Sequence, residues 1–204
     1  MKNWNALPDM KTMEKTITAL KKNGFEAMAV GSGAEAKQKF LEMVHQGAEV
    51  MDNTSITLET LGLASEIQES GKYDSVKKKL SSMDRKTQGR EMQRLGAAPE
   101  WAVGSVHAVT QDGHVMVASN SGSQLPGYAY GAEHVVWIVG AQKIVKNIDE
   151  GMKRIHEHSL VLESERAKKA YGVPGSYVSK ILILNKEPKP GRTHIILVNE
   201  ALGY

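Results

Sequence analysis

The sequence predicts an α/β fold built on a mixed, mostly parallel sheet with helices on both faces. Three observations lead there. Residues 10 to 63 alternate helical and strand patterns, and Val135 to Val139 is an unbroken apolar run of the kind found in strands buried on both sides. Two β-rich runs flank Asp112-Gly113, a dipeptide suited to a two-residue hairpin turn, and this adds antiparallel pairing. A chain of 204 residues is long enough for one substantial core and short for two, so residues 1–204 are read as a single domain.

Met10, Met13, Ile17 and Leu20 recur at helical spacing, with Pro8 in the first turn and Gly24 after Asn23 as a stop. Phe25 to Val30 follows as a strand. Ser32 and Glu35 form a capping box for a second helix that turns Phe40, Met43 and Val44 inward and ends at Gly47. Ala48 to Met51 is the next strand, and the polar loop Asp52-Asn53-Thr54-Ser55 leads into a helix carrying Leu58, Leu61 and Leu63. Residues 72 to 98 predict one or two exposed helices ending before Pro99. After the hairpin, a Gly/Ser loop over Ser119 to Gly131 precedes the central strand. Asn147 and Glu150 cap a long helix that reaches about Tyr171 with a break near Ser159, and Gly172, Pro174 and Gly175 form a loop. The strands Ile181 to Leu184 and Ile195 to Val198 close the chain, joined by the turn-rich Lys186 to Arg192.

Composition narrows the function classes. The chain has no cysteine, which excludes disulfides, a thiol nucleophile and any cysteine-held cluster or zinc site of its own. A net charge of +3 is small, and the basic runs Lys77-Lys78-Lys79 and Arg85 to Arg94 alternate with acids on helical faces, so no nucleic-acid partner is expected. No run is apolar and long enough for a signal or a membrane span, so the expected protein is soluble and cytoplasmic. His156 and His158 stand about 200° apart on a helix, the wrong spacing for one metal ion, and no metal is predicted.

Three loops offer ligand chemistry. Gly31-Ser32-Gly33-Ala34-Glu35-Ala36 fits the dinucleotide-binding pattern after a strand, with Asp52 about twenty residues on to accept from a ribose hydroxyl. Read as a cofactor site, Gly31, Ser32, Gly33 and Asp52 would bind a nicotinamide dinucleotide in an autonomous oxidoreductase; read plainly, they make a tight turn and a helix cap. Asn53, Thr54, Ser55 and Thr57 gather hydroxyls and amides where a helix begins, which suits an anion but is also partly explained by ordinary capping. The loop around Gly122, Ser123 and Gln124 is rich in donors and is either a ligand lid or a surface connection. His107 and His114 flank the hairpin as candidate bases or ordinary strand residues. No catalytic residue and no cofactor is assigned from these patterns.

Several segments together resemble the lactate-utilisation (LUD) domain family. They are Val106-His107-Ala108-Val109-Thr110-Gln111-Asp112-Gly113, Tyr130-Gly131-Ala132-Glu133-His134-Val135-Val136 and Gly140-Ala141-Gln142-Lys143-Ile144-Val145, with Thr57-Leu58-Glu59-Thr60-Leu61-Gly62-Leu63 before them and Ser179 to Asn185 and Pro190-Gly191-Arg192 after. The resemblance spans nearly the whole chain. It implies a fold of the ribose-phosphate isomerase and CoA-transferase type, a pocket bordered by Ser55, Thr57 and Gly122, and a small anionic ligand. It also implies a role as accessory or ligand-binding subunit in the oxidation of lactate to pyruvate, beside separate iron–sulfur subunits. A metabolite-sensing or scaffold role is the non-enzymatic alternative. The chain departs from the family pattern at Asp52-Asn53, His107, Gln111 and Ser123-Gln124, where the family often has glycines, Asn, Glu and an Asn-Arg pair. Apolar edge strands in this fold class pair between subunits, so a homodimer is expected.

Overall fold

The structure, a computed structural model, describes residues 2–204. In chain order its elements are α1 (Met10–Lys22), β1 (Glu26–Val30), α2 (Gly33–Met43), β2 (Glu49–Asp52), α3 (Ile56–Thr60), α4 (Leu63–Glu69), β3 (Asp74–Ser75), α5 (Val76–Ser81), α6 (Arg85–Ala97), β4 (Trp101–Gly104), β5 (Ala108–Thr110), β6 (Val115–Ser119), β7 (His134–Gly140), β8 (Ile144–Val145), α7 (Ile148–Arg154), α8 (Leu160–Tyr171), β9 (Lys180–Leu184) and β10 (Thr193–Val198). Among the described residues no helix is long and apolar enough to cross a membrane.

The strands form two sheets. Six of them run β1-β10-β7-β4-β2-β3, and every pairing is parallel. The antiparallel pairs collect in a second sheet of four, β8-β5-β6-β9. β9 and β10 therefore belong to different sheets, and the turn-rich segment between them crosses from one to the other.

Alternation along the central strands divides the core. β7 turns Val135, Trp137 and Val139 to one face and Val136 and Ile138 to the other, and β10 splits Ile195 and Leu197 from Ile196 and Val198 in the same way. The first face is covered by Met13 and Leu20 of α1, by Tyr128, and by Val109, Val115 and Val117 of the second sheet. The opposite face is covered by Ala36 and Phe40 of α2, Leu58 of α3, and Leu63 and Ile67 of α4. Each of the Val, Leu, Ile, Phe and Met side chains among them contributes about 1.5–3 kcal/mol when fully buried. The outer face of the second sheet presents Ala108, Met116 and Ala118 to Ile148, Met152 and Ile155. The result is helices, parallel sheet, second sheet and helix stacked in that order.

Local chemistry accounts for most boundaries. Asp9 caps α1 by accepting from Thr12 N at 2.7 Å, so Pro8 stands outside the helix and not in its first turn. Ser32 caps α2, and the Glu35 carboxylate reaches back one residue beyond the cap to Gly31 N at 3.0 Å. The hairpin differs from the two-residue turn expected at Asp112-Gly113. Thr110 N bonds His114 O at 2.9 Å and Gly113 N bonds Thr110 O at 2.9 Å, which makes a three-residue loop with only Gly113 left-handed, at φ +86°. That geometry is a turn followed by a bulge, and it spares Asp112 a positive φ. The Gly/Ser loop before β7 is also more ordered than expected, since Gly127–Gly131 forms one turn of π-helix. The break near Ser159 is a second π-helical segment, Ile155–Ser159, through which α7 runs on into α8.

Candidate functional site

Four neighbouring parallel strands, β10, β7, β4 and β2, deliver their C-terminal ends to one place. Open parallel sheets bind ligands at that edge because the loops that follow the strands converge there. A cavity of about 300 Å³ opens here, between this edge, the second sheet and the long helix. Asn53, Thr54, Ser55 and Thr57 enter from the loop after β2, Ser105 and His107 from the segment after β4, Lys143 from the turn after β7, and Tyr204 from the segment after β10. Ser159, Glu163 and Arg166 complete the wall from the helix.

Lys143 lies at the bottom, 2 % exposed, on the turn Ala141–Lys143. Its Nζ donates to Ser105 Oγ at 3.1 Å and Thr57 Oγ1 at 3.3 Å, and Thr57 in turn donates to Leu202 O. Gly203 is held at φ +61° directly above, where a Cβ would lie 2.5 Å from Thr57 Oγ1, so this crossing tolerates no side chain. Behind the wall, fully buried Arg154 donates from Nη1 to His107 O at 2.7 Å and Ser159 Oγ at 3.1 Å, while Nε and Nη2 find no partner among the described residues. Among the described residues neither cation forms an ion pair. Burial, and then the charge of Arg154, push the Lys143 ammonium down to about 7. Burial alone pushes Arg154 down to about 10.

His107 is locked neutral. Its Nδ1 accepts from Ala118 N at 3.1 Å, which leaves the proton on Nε2. Burial, followed by the Lys143 and Arg154 charges, holds its pKa down to about 3. On the helix side Glu163 accepts from Arg166 Nε and Nη2, both at 2.8 Å, and from Tyr204 Oη at 2.6 Å. Burial raises the Glu163 pKa, but these donors outweigh it and the group stays ionised. The wall thus holds one internally neutralised carboxylate and the unpaired Lys143, with the unpaired Arg154 buried behind it.

The loops singled out in the sequence fare differently. Asn53, Thr54, Ser55, Thr57, Ser123 and Gln124 line the cavity together. Gly122 does not line it; its N–H donates to Ser119 Oγ at 2.8 Å and its Cα faces the Lys180 side chain. Gln124 spends its amide on the loop itself, accepting from Ser119 Oγ at 2.9 Å. The dinucleotide constellation is not assembled. β1 and β2 are separated by β10, β7 and β4, so Gly31 and Asp52 stand roughly 19 Å apart across the sheet. Gly31 N and Gly33 N already donate to the carboxylates of Glu35 and Glu200, and Asp52 points to the other face of the sheet, accepting from Gln68 Nε2 at 2.6 Å and Lys77 Nζ at 3.4 Å. Of the two hairpin histidines only His107 reaches the cavity, and no group of three His, Asp or Glu side chains gathers among the described residues.

Lys143, Arg154, Ser105, Ser159, Glu163, Arg166 and Tyr204 had no signal as site residues in the sequence.

Comparison with known proteins agrees with this architecture. A family model described as "LUD domain" matches residues 13–198. The fold is similar to the crystal structure of a DUF162 family protein from Deinococcus radiodurans, with a TM-score of 0.59 at 10% identity over 95% of this chain and 100% of that one. No curated protein matches the sequence.

Proposed function

The chain belongs to the LUD domain family, which is associated with lactate utilisation, and from the cavity we propose that it binds a small organic anion and serves lactate-type oxidation as an accessory, ligand-binding subunit. One observation carries this reading: among the described residues two buried basic side chains, Lys143 on the cavity floor and Arg154 behind its wall, have no carboxylate partner. An uncompensated buried charge costs several kcal/mol, and a bound carboxylate or phosphate would offset that cost. A volume of about 300 Å³ suits a molecule of lactate or pyruvate size with accompanying water better than a dinucleotide. The Ser55 and Thr57 hydroxyls and the neutral His107 Nε2–H supply directional contacts around that charge. Because the chain has no cysteine, a cysteine-held cluster receiving the electrons would reside on separate subunits.

Thermal unfolding against lactate, pyruvate, inorganic phosphate and NAD tests the proposal. The midpoint should rise with at least one small anion, by mass action on the native state, and the rise should disappear in Arg154→Met. A response to NAD alone, or to none of the four, would overturn it.

A further inference from the structure

We propose that Lys143 forms an imine with the carbonyl carbon of a small anionic ketone or aldehyde, the 2-oxo acids foremost. The inference rests on the anion-binding reading above and adds a covalent step to it. Lys143 Nζ sits at the base of the cavity between two hydroxyls, and no acid within reach holds it as an ammonium. The titratable groups that surround it from the other walls are Arg154, His107, His158 and the Glu163–Arg166–Tyr204 cluster. Of these the only free charge is the Arg154 cation, since Glu163 is neutralised by Arg166 and His107 is uncharged. A desolvated amine beside a second cation is the setting in which lysine becomes a nucleophile. A folded-state pKa of about 7 leaves a large fraction of Lys143 as free amine at neutral pH.

The step balances without a redox partner. The Nζ lone pair attacks the carbonyl carbon, the π electrons move to oxygen, and a proton passes from nitrogen to that oxygen. Loss of the hydroxyl with a further proton releases water and leaves the C=N bond. Ser105 Oγ, 3.1 Å from Nζ, is placed to relay the proton. Lactate has the same carboxylate but a hydroxyl in place of the keto group, so it binds without reacting.

The test is reductive trapping on the intact protein. Pyruvate or dihydroxyacetone phosphate is added with borohydride, and the modified residue is located by peptide mass mapping. The expected result is a single adduct at Lys143, formed at least tenfold faster than at any exposed lysine, because an unperturbed ammonium is less than about one part in a thousand neutral at pH 7. Trapping should rise between about pH 6 and pH 8, around the Lys143 pKa of about 7, and Lys143→Arg should abolish it. An adduct with pyruvate identifies a carboxylate substrate, and one with dihydroxyacetone phosphate a phosphate ester. No adduct at Lys143, or equal labelling of surface lysines, overturns the imine. Binding of lactate, pyruvate and inorganic phosphate, measured in parallel by thermal shift, separates the failures: if any of them persists, anion binding stands without the imine, and if all are absent both fall. Mapping the unmodified chain keeps the test decisive should Lys143→Arg fail to fold.

Discussion

Arg192 and Arg154 are both buried, yet their surroundings are opposite. Arg192 pairs with the buried Glu187 at 2.9 Å and donates to the carbonyls of Gly127, Tyr128 and Ala132, tying the π-helical turn before β7 to the start of β10. Every charged-group contact there is answered from within the chain. Arg154 has one carbonyl and one hydroxyl, and two of its nitrogens are unanswered. The first arrangement is what a fold needs to bury a charge; the second is what the proposed anion would complete from outside. The contrast supports the proposed anion site at the C-terminal edge of the parallel sheet, where Lys143 repeats the pattern of Arg154.

The largest effect expected from breaking this contrast is at the structural pair. Arg192→Met strands the Glu187 carboxylate and should cost about 3–5 kcal/mol in urea unfolding, with anion binding unchanged in the fraction that folds. Next comes the pH response of Lys143. Its folded pKa, about 7, lies below the ordinary 10.5, so the unfolded chain binds more protons between those values. Stability should therefore rise with pH across that window, by at most about 1.4 kcal/mol per pH unit, and Lys143→Met should flatten the rise. Urea midpoints at stepped pH read this directly, and an unchanged slope would show that the amine is not desolvated. Arg154→Met should be milder in the unliganded chain, about 1 kcal/mol in either direction, because the relief of a buried charge offsets two lost hydrogen bonds. In calorimetry it should weaken lactate or pyruvate binding at least tenfold, roughly 1.4 kcal/mol. The smallest effect is expected at Asp52, whose carboxyl is raised by burial despite Lys77 and faces away from the cavity. Asp52→Asn keeps the Gln68 contact and should change stability by less than about 1 kcal/mol, with anion binding intact; a loss of binding would mean that the two faces of the sheet communicate.

Much of the fold was legible before any coordinates. Ser32, Ser55 and Asn147 act as helix caps because a short polar side chain answers the free N–H groups wherever a helix begins, and that requirement is local. The continuous run Val135 to Val139 is central because only a strand covered on both faces can bury every residue. The hairpin around Gly113 and the interruption near Ser159 were visible in kind, although not the bulge or the π-helical turn, nor that Asn23, far away in sequence, donates to the Asp112 and Gly113 carbonyls of the hairpin loop.

The site was only partly legible, and particular residues show why. Thr57 is a hydroxyl near a helix start, a position that sequence patterns recognise. Lys143 matters through Thr57, Ser105 and Arg154, which lie 86, 38 and 11 positions away along the chain. The same ignorance of strand order let Gly31 and Asp52 look like one binding motif, when three strands stand between them. What the sequence by itself determined is the element order, the caps, the buried central strand and the absence of thiol chemistry, because each follows from the periodicity or composition of a short stretch. What only the tertiary structure decided is which strand ends meet, and hence that Lys143 and Arg154 are both buried without a carboxylate partner among the described residues, because charge compensation is a property of neighbours in space.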